Sequence, residues 1–291
     1  MSLLRHVFTL RVALGLPAHA VAQPPHACAD PRPLRLALVP EKDPYRQTQQ
    51  YRPLLKALEH TTGRRVAWIP TTSYGAVIEG LLTGDIDVAQ MGPASYAVAM
   101  SRGAQLTPVA TFRLRPGPAT PDASAYHSVL ISKRSTHLQN LSQLRGRTLS
   151  LTDPASTSGA VLPRQAIQSL TGLSLESYFS RITFAGSHDR SLEALRQGRV
   201  DAAFVSSTAI DEAVRRGTLR MDEIHVLWRS QPIPYDPFVI RTPLCPALQE
   251  QIRKVFLGHT QRLQPMLQEL GMTGFVPVTA ENYREIRQLY P

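Results

Sequence analysis

The sequence contains few cysteines, no long apolar segment and no block of basic residues. The two cysteines, Cys28 and Cys245, can form one disulfide in an exported protein or remain free thiols, and they give no support for metal or thiol chemistry. No apolar run approaches the ~20 residues that a transmembrane helix needs. Because the basic residues are not clustered, nucleic-acid binding is disfavoured, whereas the net charge of +10 favours an anionic ligand.

The N-terminus has the pattern of a secretory signal peptide. Arg5 supplies a positive charge, residues 7–16 are mostly apolar, and residues 20–22 (AVA) fit a small-x-small cleavage site. We therefore predict a signal peptide over residues 1–22, with a disordered tail as the alternative. Cys28 is preceded by PHA, which is not the apolar sequence of a lipid-attachment site.

A stretch of sequence occurs twice, 114 residues apart. Residues 77–89 (VIEGLLTGDIDVA) align with residues 191–203 (SLEALRQGRVDAA), and the same offset aligns Tyr74 with His188. This repeat predicts two similar α/β lobes that face each other. Polar residues at the matching loop tips would then contact one shared ligand.

Short apolar runs alternate with segments of helical periodicity. Strands are predicted at 34–39, 66–69 and 86–90, and again at 148–151, 182–184 and 200–205. Helices are predicted at 47–61, 74–82 and 94–101, and again at 160–170 and 191–197. This order predicts an α/β fold of two Rossmann-like lobes with mainly parallel sheets.

Two extended segments are candidates for a hinge between the lobes. Residues 126–132 (YHSVLIS) and 238–241 (FVIR) would cross from one lobe to the other, after a flexible loop at 115–124 (RPGPATPDAS). Lobe 1 would comprise residues 34–125 and 238–291, with helices around 247–258 and 280–289. Lobe 2 would comprise residues 126–237.

Three adjacent hydroxyls are the strongest candidates for ligand contact. Ser156, Thr157 and Ser158 follow a predicted strand and precede a helix, at the sheet edge where α/β proteins bind ligands. Together with the free N–H groups of the helix start, they suit a tetrahedral oxyanion. Helix capping is the alternative, but one cap needs a single hydroxyl. The run is not a P-loop, because no lysine follows the glycine.

Other candidates occupy further loop tips. His188 would donate a hydrogen bond to an anion and gain charge from it, with Tyr74 at the matching tip; the alternative for His188 is a structural role. Tyr96 reaches the cleft or packs in the core, and Ser95 caps its helix or contacts the ligand. Asp236 would face a proton-bearing anion or serve as a turn residue.

These motifs resemble those of the phosphonate/phosphite/phosphate-binding proteins of bacterial ABC importers. The similar segments are STSG, GSHD, GPASY, IPYDP and TTSYGAVIEGL, spread over roughly residues 34–275. The resemblance implies a type II periplasmic binding protein with two hinge strands. It also implies a phosphonyl group held by the Ser-Thr-Ser helix start, with further contacts from Tyr74, His188 and Asp236, and weaker ones from Ser95 and Tyr96.

The resemblance further implies a periplasmic monomer that delivers its ligand to an ABC permease and its ATPase. No cofactor, metal or catalytic residue is expected. Residues 205–208 (VSST) offer only hydroxyls where aminoalkylphosphonate binders would have an extra carboxylate. This favours a small ligand such as phosphite, methylphosphonate or phosphate.

Three rival interpretations remain. A hydrolase triad of Ser158, His188 and Asp201 lacks the G-x-S-x-G elbow, and we interpret Asp201 and Asp87 as structural residues of the repeat. The same fold would also suit a sulfonate or another small anion. The third alternative is a ligand sensor that acts on a separate signalling protein.

Overall fold

A computed structural model describes residues 28–258 and 260–289; the predicted signal peptide, residues 1–22, lies outside them. The strands are β1 (Leu34–Leu38), β2 (Val66–Trp68), β3 (Val88–Gln90), β4 (Leu106–Leu114), β5 (Ala125–Tyr126), β6 (Ser128–Lys133), β7 (Thr148–Leu151), β8 (Arg181–Phe184), β9 (Ala202–Ser206), β10 (Ile224–Arg229), β11 (Ile233–Pro234), β12 (Pro237–Arg241) and β13 (Met272–Pro277). The α-helices are α1 (Pro44–Thr62), α2 (Tyr74–Thr83), α3 (Pro93–Ser101), α4 (Leu162–Thr171), α5 (Leu175–Tyr178), α6 (His188–Arg196), α7 (Ser207–Arg215), α8 (Pro246–Leu257), α9 (Gln264–Leu270) and α10 (Arg284–Arg287).

Two mixed sheets organise the described residues. A six-stranded sheet has the order β13-β4-β12-β3-β1-β2, and a five-stranded sheet has the order β10-β6-β9-β7-β8. In each, three neighbouring strands are parallel (β3-β1-β2 and β9-β7-β8), and the others pair antiparallel. The predicted two-lobed α/β fold is confirmed. Lobe 1 is built on the six-stranded sheet and lobe 2 on the five-stranded sheet.

Both faces of these sheets are covered by helices, and the sequence of β1 shows why. Leu34, Leu36 and Leu38 point into one apolar cluster, whereas Ala37 and Val39 point into another on the opposite face. Successive strand residues face opposite sides, so an apolar run of this length fits a strand buried on both faces.

The sequence repeat corresponds to matching structural units. The unit β2-α2-β3 in lobe 1 matches β8-α6-β9 in lobe 2, and Tyr74 and His188 are the first residues of their helices. Asp87 accepts hydrogen bonds from the Arg35 backbone and guanidinium at 2.8–2.9 Å. Asp201 accepts two from Thr148 at 2.9 and 2.8 Å. Their predicted structural role is confirmed, because each carboxylate anchors the neighbouring parallel strand, β1 for Asp87 and β7 for Asp201.

The chain crosses between the lobes at a short ribbon. β5 and β11 pair antiparallel, with Tyr126 opposite Ile233. The predicted hinge segments are therefore partly wrong: residues 128–132 belong to the lobe 2 sheet and residues 238–241 to the lobe 1 sheet. The loop at 115–124 was predicted to be flexible. The structure attaches it to α7, because the Ala119 N–H donates to Asp211 at 2.7 Å.

A disulfide joins Cys28 to Cys245. Of the two possibilities left open by the sequence, a disulfide or two free thiols, the disulfide is therefore the one observed. It attaches the start of the described chain to the segment before α8. None of the helices in residues 28–258 and 260–289 is long and apolar enough to span a membrane.

Candidate functional site

A small cavity lies where loops from the two lobes and the ribbon meet. Its lining residues follow the carboxyl ends of strands β1, β2, β3, β7, β8 and β9 or belong to the ribbon, as expected for ligand sites in open α/β sheets. They are Glu41, Tyr74, Gly92, Tyr126, Ser156, Thr157, Ser158, His188, Ser206, Thr208, Tyr235 and Asp236. Six of the eight predicted ligand-binding residues are therefore brought together.

The Ser-Thr-Ser segment forms the start of a π-helical turn (Thr157–Val161), which is capped by Ser156 and leads into α4. The Leu162 N–H bonds to Thr157 O, and Pro163 has no N–H to offer. Ser158 O therefore lacks a helical donor, and Ser128 Oγ donates to it at 2.6 Å. This holds the turn rigidly against β6.

The three hydroxyls of this segment have different tasks. Ser156 Oγ accepts from the Gly159 N–H at 3.1 Å, so it acts as the helix cap. Thr157 Oγ1 accepts from the Ala94 N–H of lobe 1 at 2.8 Å. Ser158 Oγ is buried in the cavity and has no hydrogen-bond partner among the described residues. It is the hydroxyl left for a ligand.

Gly159 is required by this arrangement. A Cβ at this position would lie 2.2 Å from Thr152 Oγ1 and 2.8 Å from Ser156 Oγ. The glycine thus permits the tight turn that holds Ser158 in the cavity wall.

His188 is a neutral hydrogen-bond donor. Its Nδ1 accepts from the Ser206 N–H at 3.1 Å and lies 2.9 Å from Thr152 Oγ1, so Nε2 carries the proton. Burial lowers the pKa of His188 to about 3. The imidazole therefore offers an N–H without a charge, and only an anion beside it would favour the charged form that the sequence predicted.

Two tyrosines supply phenol groups from lobe 1 and the ribbon. Burial is the main cause that raises the pKa of Tyr74 and of Tyr126 well above the ordinary value, so both remain protonated donors. Tyr126 lies beside Ser158 without forming a hydrogen bond of good geometry. It was missed from the sequence, although its position in a predicted hinge strand was a usable signal.

Two acidic side chains share this cavity. Asp236 is 7% exposed, and its backbone oxygen accepts from Thr111 Oγ1 at 2.8 Å. Burial first, and then the neighbouring charge of Glu41, raise the pKa of Asp236 well above its ordinary range. Burial also raises the pKa of Glu41. Sequence reasoning missed Glu41, which follows β1 at the same sheet edge.

Ser95 and Tyr96 do not line the cavity. Ser95 Oγ instead donates to Ala155 O at 2.9 Å, linking the lobes. Tyr96 is fully buried and packs edge-on against Tyr283, with ring centroids 5.7 Å apart. The physical reason is helical rotation: only the start of α3 faces the cavity, and residues further along point into the core. Their predicted ligand contacts are therefore not supported.

The cavity is closed by further contacts between the lobes. Lys42 Nζ lies 2.7 Å from Glu212 Oε2, and Arg46 pairs with the same carboxylate. The Asp43 N–H donates to Asp189 at 3.1 Å, and the Tyr74 N–H donates to Asp153 at 3.2 Å. The structure thus represents a closed arrangement of the two lobes.

A second, larger cavity of about 310 Å³ adjoins the first and shares Glu41, His188, Ser206, Thr208 and Tyr235 with it. It extends outward between α1, α6 and α7 and is lined by Lys42, Arg46 and Glu212, among others. A ligand held in the inner cavity thus has space beside it for a substituent.

Comparison with known proteins gives a consistent family. A family model described as "ABC transporter, phosphonate, periplasmic substrate-binding protein" matches residues 36–283. The phosphate-import protein PhnD of Mycolicibacterium smegmatis is 27% identical over 278 residues, covering 89% of this chain and 85% of that protein. The phosphonates-binding periplasmic protein of Escherichia coli is 27% identical over 272 residues, covering 91% and 78%.

Solved structures show that the fold is shared. A binding protein component of a Pseudomonas aeruginosa ABC phosphonate transporter has a TM-score of 0.78 at 22% identity and covers 89% of this chain and 86% of that one. PhnD1 of Prochlorococcus marinus, in complex with methylphosphonate, has a TM-score of 0.78 at 17% identity and covers 89% and 97%.

Proposed function

Because the chain belongs to the family of periplasmic phosphonate-binding proteins of ABC transporters, we propose that it captures a small phosphorus oxyanion between its lobes. The resemblance drawn from the sequence motifs is thereby confirmed. Phosphite, methylphosphonate and phosphate are the proposed ligands, because their tetrahedral oxygens match the hydrogen-bond donors of the inner cavity in chemistry. The bound ligand is then delivered to an ABC permease and its ATPase.

The observation that carries this proposal is the convergence of hydrogen-bond donors on one cavity. Ser158 Oγ, the His188 Nε2–H and the phenols of Tyr74 and Tyr126 surround it. Such donors, fixed by the surrounding backbone, suit the oxygens of a tetrahedral anion.

Capture works through closure of the lobes. We propose that residues 34–125 with 238–291 move as one body and residues 126–237 as the other, about the β5–β11 ribbon. A ligand that contacts both bodies stabilises the closed state, because its interactions are complete only there. The closed monomer is the form that the permease would recognise, after export directed by residues 1–22.

A thermal-shift panel on the mature protein tests the function. The ligands are phosphite, methylphosphonate, phosphate, 2-aminoethylphosphonate, sulfate and methanesulfonate. We expect a large increase in melting temperature with at least one of the phosphorus compounds, because a ligand that binds only the folded state stabilises it by mass action. A shift with sulfate or methanesulfonate alone, or with none of the six compounds, would contradict the proposal.

A further inference from the structure

The inner cavity combines two acids with no basic side chain. Among the described residues that line it, Glu41 and Asp236 are acidic, and no lysine or arginine is present. An oxyanion entering this space would meet two carboxylates in a poorly hydrated environment, where repulsion between like charges is strong. A site of this composition holds an anion if an acidic group carries a proton or if the anion itself brings one.

The nearby cations relieve this repulsion only in part, because the charge of Lys42 lowers the pKa of Glu41 but burial outweighs it. Lys42 and Arg46 both pair with Glu212 on α7, and the His188 imidazole is held neutral by burial. Asp189 on α6 also faces Glu41. The phenols that face both acids are Tyr51, Tyr74, Tyr126 and Tyr235, and Tyr283 faces Asp236.

The two carboxyl groups line the same small cavity. The charge of Glu41 raises the pKa of Asp236, because two carboxylates that share one site do not both ionise readily. Asp236 is the more buried partner. One of its oxygens lies near the start of α3, 4.0 Å from the position of a Cβ on Gly92.

We propose that Glu41 and Asp236 form one proton-sharing pair, so that closure of the lobes captures the oxyanion together with a proton. In the open protein, water hydrates both carboxylates. When the lobes close, Asp236 takes a proton from the solvent and donates it to Glu41 in a hydrogen bond. The negative charge that the two carboxyl groups present to the anion falls from two units to one. Glu41 is thus a specificity-determining residue of the proposed function, on which this inference rests.

The direction of the pH dependence follows from this proton balance. Burial raises the pKa of both acids in the closed state, so the closed form holds a proton that the open form loses as the pH rises. Binding therefore weakens with increasing pH. A single linked proton changes the dissociation constant by about tenfold per pH unit.

Titration calorimetry with methylphosphonate measures the proton directly. The heat of binding at pH 7.5, in buffers of different ionisation enthalpy, gives the number of protons taken up. The reference is the double variant Glu41→Gln/Asp236→Asn, which keeps the shape of the pair but cannot titrate. We expect the wild type to take up about one proton more than this variant. The exposed Glu79→Gln substitution serves as a control and should leave the number unchanged.

Equal proton uptake in the wild type and the double variant would overturn the proposal. If the double variant does not bind, the infrared difference spectrum of the wild type with and without methylphosphonate decides. A ligand-induced band of a protonated carboxyl group supports the pair, and its absence refutes it. If the wild type binds no phosphorus oxyanion at all, the proposed function fails instead, and the two failures are thus distinguishable.

Discussion

Ser158 provides a buried hydroxyl that the fold itself does not use. We expect Ser158→Ala to weaken methylphosphonate binding by about tenfold to a hundredfold, because a hydrogen bond to a charged group contributes about 1.5–3 kcal/mol. The melting temperature of the ligand-free protein should not fall, since the removed oxygen has no hydrogen-bond partner within the described chain. Calorimetry and thermal unfolding measure the two effects, with the exposed Ser135→Ala as control. An unchanged affinity would remove Ser158 from the site.

His188 makes the folded protein sensitive to acid. Its pKa of about 3 in the folded protein lies below the value of about 6.5 in the unfolded chain. Between these pH values the unfolded chain binds more protons than the folded protein. The free energy of unfolding therefore falls as the pH drops below about 6.5. At pH 5.0 the loss is about 2 kcal/mol. We expect His188→Asn, whose side-chain oxygen replaces Nδ1 as acceptor, to lose less stability than the wild type between pH 7.5 and 5.0.

Urea unfolding at the two pH values, without ligand, tests this expectation. The exposed His60→Asn variant accounts for the general effect of a histidine substitution. If His188→Asn and the wild type lost equal stability on acidification, the imidazole would not be neutral in the folded state.

The contact between the start of α1 and α7 joins the two lobes through one carboxylate. Glu212 accepts from both Lys42 and Arg46, and Lys42 is buried in the closed form. We expect Glu212→Gln to accelerate methylphosphonate release and weaken affinity by about tenfold, because removing one partner leaves buried charge unpaired. Stopped-flow displacement measures the release rate. The ion pair Glu176–Arg164 lies within lobe 2 and is exposed, so Glu176→Gln should leave the rate unchanged.

Most helices and central strands were predictable because their signals are local. α1 ends at Thr62, directly before the cap residue Gly63, and its apolar residues recur at helical spacing. β4 and β13 were missed because their sequences, LTPVATFRL and MTGFVP, contain proline or glycine. Both strands are stabilised by antiparallel pairing with strands distant in the sequence, which a local pattern does not reveal.

The site was predictable to the extent that loop tips follow strands. Ser158, His188 and Tyr74 were predicted in this way, and Asp236 was predicted from its place at the proposed second hinge; the structure brings all four to one cavity. Glu41 was missed because a single acid after a strand is common. Tyr96 was misplaced because its direction depends on where α3 starts, a detail that the motif GPASY does not determine.

The covalent link between Cys28 and Cys245 acts on the stability of the protein and not on its ligand site. Both cysteines lie on the lobe 1 side, where Ala29 bridges to Leu244. We expect the double variant Cys28→Ser/Cys245→Ser to lose about 2–5 kcal/mol of stability, with methylphosphonate affinity unchanged at a temperature where it remains folded. Chemical unfolding and calorimetry measure the two quantities. A large loss of affinity would show that the link also shapes the cavity.

The β5–β11 ribbon contains only two residue pairs, and Tyr126 and Asp236 lie in it or directly after it. Points near a rotation axis travel little, whereas points far from it travel a long way. Bending at the ribbon would therefore leave these two side chains almost in place while the rim of the cleft moves much further. Spectroscopic labels at Tyr45 on α1 of lobe 1 and at Arg216 after α7 of lobe 2, both exposed, would report ligand binding as a change in the distance between them.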